Sequence, residues 1–212
     1  MTTSHKGGHG RGRLIAFEGI DGTGKSTQIA LLADWLHQRG HEVIATREPT
    51  SGAYGQRIRQ LYQARELVSH GEELALFLAD RREHVAQVIA PALAQGKIIL
   101  TDRYYFSTAA YQGVHGFDPV DIIRQNEIFA PVPDLVILIT IPVNEAVMRI
   151  QHYRQEALNQ FEQEEGLRQV SAIFAGLTCE RIRRVDGAGT IAAVHELIIA
   201  QVMSSRIFLE GD

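Results

Sequence analysis

The sequence predicts an α/β fold in three layers, a mostly parallel five-stranded sheet with helices on both faces. Three observations predict it. Short apolar runs, among them Leu14 to Phe17, Lys97 to Thr101 and Asp134 to Ile139, have the length and character of strands buried on both sides. Longer stretches with helical spacing separate them, and such alternation calls for crossover connections and parallel pairing. The 212 residues, 45% of them hydrophobic, suffice for one sizeable core, read here as a single domain over 13–212.

Met1 to Gly12 is polar and carries His5, Lys6, His9, Arg11 and four glycines, so it reads as a disordered tail without the apolar stretch of a signal peptide. Leu14-Ile15-Ala16-Phe17 is the first strand. It runs into Gly19-Ile20-Asp21-Gly22-Thr23-Gly24-Lys25-Ser26, a full match to the phosphate-binding loop G-x-x-x-x-G-K-[ST], and Thr27 to His37 follows with helical periodicity. Strand, loop and helix in that order are the context the motif needs. Its glycines let successive N–H groups converge on a phosphate chain, and the helix start adds a favourable field for the anion. Lys25 is expected to reach the β and γ phosphates of a nucleotide, and the Ser26 hydroxyl to ligate the Mg²⁺ that bridges them.

Glu42 to Thr46 is the second strand, and Arg47-Glu48-Pro49 falls beyond its carboxyl end, where open α/β sheets bind ligands. Gly55 to Leu67 and Glu72 to Ala94 read as helices, with Phe77 and Arg81 four apart and therefore on one face. The third strand, Lys97 to Thr101, closes on Asp102-Arg103-Tyr104. An aspartate there is the usual second contact to Mg²⁺ in phosphate-loop enzymes. Phe106 to Gly113 supplies Ser107, Thr108, Tyr111 and Gln112. A helix over Pro119 to Ala130 and the fourth strand, Asp134 to Ile139, follow. Asn144 is placed as the cap of a helix through Arg149 into Tyr153 and Arg154. Gln155 to Gly166 is charged and without a clear apolar face, which suits a movable lid over about 150–166. Arg181 to Asp186 is the last strand and Thr190 to about Ser205 the closing helix.

The net charge of −4 argues against general affinity for nucleic acid or an anionic membrane, so any further phosphate site requires a local gathering of arginines. One cysteine, Cys179, excludes an internal disulfide framework and suits a reducing cytoplasm. No apolar run approaches the ~20 residues of a spanning helix. A phosphate loop alone does not choose a function. Arg47, Phe77, Arg81, Arg103, Thr108 and Tyr111, however, come from elements whose ends should face one crevice, with arginines for a second phosphate and an aromatic face for a base. That describes phosphoryl transfer from ATP to a nucleoside monophosphate. No Asn-Lys-x-Asp guanine signature occurs, which disfavours a GTPase-like switch.

In Phe17 to Thr27, Thr46-Arg47-Glu48-Pro49, Leu76-Phe77 with Arg81, Asp102-Arg103-Tyr104 and Ser107 to Gly113, taken in that order, the chain resembles the thymidylate kinase family. The resemblance implies a P-loop kinase fold, ATP and dTMP as substrates, Mg²⁺ as cofactor and a homodimer in the cytoplasm. Carried over by position, Asp21 meets the deoxyribose 3′-hydroxyl, Arg47 and Arg103 hold the dTMP phosphate, Phe77 stacks on thymine, and Arg81 donates to its carbonyl edge. Thr108 and Tyr111 contact base and sugar, and Arg59 matches a further arginine of the family. The loop carries no arginine of its own, so the resemblance places the catalytic cation on the lid, with Arg149 and Arg154 the candidates. Asn159-Gln160-Phe161-Glu162 stands where many members have Asp-Arg before a glutamate. Other readings left open are a kinase for a different nucleotide or for a deoxynucleoside, and a nucleotide-binding module with impaired turnover.

Overall fold

The computed structural model describes residues 11–62, 68–154 and 164–205, with the backbone alone of Tyr153 and Arg154. Strands β1 (Arg13–Glu18), β2 (Val43–Arg47), β3 (Ile98–Asp102), β4 (Leu135–Thr140) and β5 (Ile182–Asp186) pair in parallel in the order β2-β3-β1-β4-β5. Alternation along each strand divides the core in two. Ile15, Phe17, Leu100, Ile137 and Ile139 meet Ile29, Leu32 and Leu36 of α1 (Lys25–His37) and Val194, Ile198 and Val202 of α9 (Ile191–Ser204) on one face. On the other face Leu14, Ala16, Ile99, Val136 and Leu138 pack with buried residues of α5 (Tyr105–Gly113), α7 (Val143–Arg154) and α8 (Glu164–Gly176), and with Val85, Ile89 and Ala92. Burial on both faces explains the continuous apolar runs of β1, β3 and β4.

The long helix expected from Glu72 to Ala94 is α3 (His70–His84), a π-helical turn (Val85–Ile89) and α4 (Ala90–Ala94). Pro91 has no N–H to give the preceding turn, and the Ala90 N–H bonds Val85 O, five residues back. Ser69 opens α3 with a reciprocal capping box to Glu72. Helix α2 is Ala53–Leu61, shorter than the expected Gly55 to Leu67, of which 63–67 lie outside the described residues. Helix α6 is Pro119–Glu127. Asn144 lies inside the first turn of α7, since that helix already begins at Val143. Helix α8 was not anticipated: Leu167, Val170 and Phe174, at helical spacing, bury its apolar face. It takes in the last three residues of the expected lid, while 155–163 of the lid and 1–10 of the tail lie outside the described residues. Among the described residues no helix is long and apolar enough to cross a membrane.

Candidate active site

Strand register assembles one end of the sheet. Phe17 pairs with Asp102, and Asp102 with Arg47, so the next residues, Glu18, Arg103 and Glu48, emerge side by side at the carboxyl ends of three adjacent strands. The chain leaves β1 towards α1 on one face and β3 towards α5 on the other, which opens a crevice between them. A cleft of about 470 Å³ occupies that position.

Its floor is the loop between β1 and α1. Gly19, Gly22 and Gly24 have φ of 133°, 82° and 89°, and a Cβ on Gly22 would lie 2.6 Å from the Ala146 carbonyl oxygen. Ile20 is buried beneath the loop, and the Thr23 hydroxyl donates to the Ile20 carbonyl at 3.0 Å. Lys25 folds back over the loop and donates to the Gly19 and Ile20 carbonyls at 3.1 and 2.8 Å. Burial, with Arg103 nearby, lowers its pKa from 10.5 to about 8, against the opposing pull of Asp102, Asp21 and Glu18. An incoming phosphate chain would replace the two carbonyls as its partner and favour its charged form. Ser26 and Thr27 open the next turn at the cleft wall. The Ser26 hydroxyl donates to Asp102 Oδ2 at 2.5 Å, and Arg47 Nη2 lies 3.5 Å from both atoms. A hydroxyl and a carboxylate in contact are the hard oxygen donors that suit Mg²⁺.

Arg103 leaves β3 at φ 73°, a left-handed conformation, and its guanidinium is shared among four acceptors. Nη2 donates to Asp21 Oδ1 at 2.9 Å and Tyr111 Oη at 3.1 Å, and Nη1 to Ser107 Oγ at 3.0 Å and Gly19 O at 3.5 Å. Tyr111 Oη in turn donates to Asp21 Oδ2 at 3.3 Å. The far wall is Phe77, Arg81 and Thr108. Arg81 is 1% exposed and donates from Nη2 to Glu48 Oε2 at 2.5 Å and Thr108 Oγ1 at 3.1 Å, and from Nη1 to Asn126 Oδ1 at 2.6 Å. Gln112 stands one helical turn beyond Thr108, fully buried, with no partner for either amide atom among the described residues. It does not line the cleft surface itself.

Arg149 is not a wall of this cleft: it donates to Glu145 Oε1 at 2.6 Å and to the Gly187 carbonyl at 2.9 Å. The side chain of Arg154 lies outside what is described. Several residues at the site carried no signal that their own sequence neighbourhood could supply. Glu18 is fully buried and accepts from the Tyr104 N–H at 2.9 Å and from the Ser107 hydroxyl, and burial lifts its carboxyl to about 7 although those bonds and Arg103 oppose the rise. Glu48 is clamped between Arg81 and His84 Nδ1, the latter 2.9 Å away, and Asn126 arrives from α6. Arg59, tied to the Pro49 carbonyl at 3.1 Å, and Tyr62 complete the rim.

A family model described as thymidylate kinase matches residues 17–198 of the chain. A thymidylate kinase of Desulfotalea psychrophila is 54% identical over 191 residues, 90% of this chain and 94% of that one. A thymidylate kinase of Akkermansia muciniphila is 48% identical over 179 residues, covering 84% of this chain and 85% of its own. A probable thymidylate kinase of Pyrococcus horikoshii is 40% identical over 200 residues, 91% and 96% of the two chains.

Proposed function

We propose a reaction for the cleft from one premise, that the chain belongs to the thymidylate kinase family. It is a nucleoside monophosphate kinase that transfers the γ-phosphoryl group of ATP to dTMP, giving ADP and dTDP. One observation carries the assignment of roles: Lys25 of the phosphate loop and Phe77, Arg81 and Arg103 of the opposite wall line the same cleft. A donor triphosphate and an acceptor nucleotide then meet end to end.

In this reading ATP lies with its phosphates over Gly19 to Thr27, with Lys25 on the β and γ phosphates. Ser26 and Asp102 would hold Mg²⁺, which supplies charge neutralisation on the same phosphates. The acceptor phosphate lies against Arg47 and Arg103, with Arg59 at the rim. Asp21, already oriented by Arg103 and Tyr111, accepts from the 3′-hydroxyl. Thymine stacks on Phe77. Its edge is offered the buried Arg81 Nε, a donor of the cleft wall that lacks a partner among the described residues; Gln112, one turn behind Thr108, backs that wall. Burial of such a donor without a partner costs about 1–3 kcal/mol, which a base that accepts from it recovers.

The dTMP oxygen attacks the γ-phosphorus in line with the departing ADP oxygen, and no general base is needed because the acceptor is already anionic. Arg149 or Arg154 supplies the further cation from a lid over about 150–166, which closes to exclude water. Residues 13–212 act as one domain, in a cytoplasmic homodimer; the single cysteine suits a reducing compartment, and exposed Ile128 and Val120 at α6 offer apolar surface of the kind an interface covers.

The test is ADP release with MgATP at a fixed level and dTMP, dUMP, dCMP, dAMP or thymidine as acceptor. Expected is dependence of ADP release on the acceptor, with kcat/KM for dTMP roughly a hundredfold or more above dCMP and thymidine. Equal turnover of thymidine, or ADP release indifferent to acceptor, overturns the reading.

A further inference from the structure

We propose that Asn126, on α6 and outside the cleft, is a positioning residue that sets the base selectivity of Arg81. The inference rests on the reading of Arg81 as the group that faces the acceptor base.

The Arg81 guanidinium is pinned from three elements. Glu48 follows β2, Thr108 lies on α5 and Asn126 on α6. Two of these anchors are themselves fixed. Glu48 is held from its other side by His84 Nδ1 at 2.9 Å, and His84 Nε2 lies 2.7 Å from the Thr46 hydroxyl. Asn126 is 0% exposed, and its Nδ2 donates to the Ile122 carbonyl at 2.8 Å within its own helix. That bond settles which way the amide points: the nitrogen is committed to the backbone, so the oxygen faces Arg81.

A guanidinium is planar and rigid, so fixing both terminal nitrogens fixes the direction of Nε–H. Nε is the one Arg81 nitrogen buried with no partner among the described residues. A lone donor held in a fixed direction accepts a ring carbonyl and rejects an exocyclic amino group, which presents a donor to a donor. Thymine and uracil carry the carbonyl at that edge, and cytosine the amino group. With Asn126 removed, only the Nη2 side stays anchored. The plane can then swing about that anchor, and the Nε direction that separates the two edges is lost. An aspartate at 126 would also anchor Nη1, but would place a second carboxylate against one guanidinium; asparagine anchors it without that charge.

The experiment is steady-state kinetics of the full chain with dTMP and dCMP as acceptors for N126A, N126S and N126D. Expected for N126A is a KM for dTMP raised about tenfold, kcat within about twofold, KM for ATP unchanged, and the dTMP to dCMP ratio of kcat/KM reduced about tenfold. N126S, whose hydroxyl is too short to reach Nη1, should behave alike and serves if alanine does not fold. N126D keeps an acceptor at the same place and should keep the ratio. Loss of kcat and of both substrates' KM values in parallel with an unchanged ratio would show a merely structural role and overturn the proposal. So would a ratio lost equally in N126D. If the wild type itself does not prefer dTMP over dCMP, the reading of the Arg81 pocket falls; if it does and N126A retains the preference, Asn126 alone is dismissed.

Discussion

Glu18 is taken out of water at the end of β1, where it receives the Tyr104 N–H and the Ser107 hydroxyl, and Ser107 also accepts from Arg103. It thereby braces the left-handed turn that presents Arg103. Its carboxyl titrates near 7 in the folded protein and at 4.5 when unfolded, burial being the largest cause. The native state therefore holds the proton more tightly. The contribution of this group to stability is complete below about pH 4.5, is lost as pH rises through 7, and amounts to on the order of 3 kcal/mol. Glutamine can still accept from the Tyr104 N–H and can donate to Ser107 Oγ in place of accepting from it, and it cannot ionise. Urea unfolding of wild type and Glu18→Gln at a series of pH values should show the variant gaining on the wild type between pH 4.5 and 7.5; a constant gap would mean that the carboxyl does not titrate in this range. Lys25 and Ser26 were legible because a phosphate loop is a local pattern. Glu18 and Glu48 were not, since a carboxylate in sequence is by default a solvated charge, and only burial beside an arginine gives it work.

Two glycines of the loop between β1 and α1 separate strain from close approach. Gly22 and Gly24 have similar positive φ, 82° and 89°, yet a Cβ on Gly22 would press into the Ala146 carbonyl while one on Gly24 meets nothing within 4 Å. Gly24→Ala should cost about 1–2 kcal/mol, the left-handed penalty alone, and Gly22→Ala clearly more. Thermal melts without ligand check this, and equal losses would deny that α7 packs against the loop. Helices α3 and α8 differ in how readable they were. Helix α3 carries Phe77 and Arg81 at helical spacing, which was visible in sequence, while its capping box at Ser69 starts it two residues ahead of the expected Glu72. Its conversion to a π turn over Val85–Ile89 was not visible, because the periodicity of the apolar residues barely changes when one turn widens. Helix α8 had an apolar face at Leu167, Val170 and Phe174, but the charged run before it drew its first residues into the lid.

At the scale of the whole molecule, the proposed reading has two substrates share one cleft and one lid, and such substrates should bind with coupling. A non-hydrolysable ATP analogue with Mg²⁺, at a hundred times its Kd, adds about 2.7 kcal/mol to stability, and dTMP adds its own share by the same law. If both draw the lid closed, the two together should raise Tm by more than the sum of the separate shifts. Strict additivity in a thermal-shift titration would mean that no common element closes over both. The sequence by itself determined the parallel α/β architecture, the phosphate loop and many of the residues that line the cleft, because buried-strand runs, glycine spacing and Lys-Ser are written in neighbouring residues. Only the tertiary structure decided how those residues are held. The registers of β1, β2 and β3 align Glu18, Arg103 and Glu48, and Asn126 reaches Arg81 across 45 positions. Such pairings are set by how strands slide and helices dock, and the energy that fixes them is the burial of polar groups against partners remote in the chain.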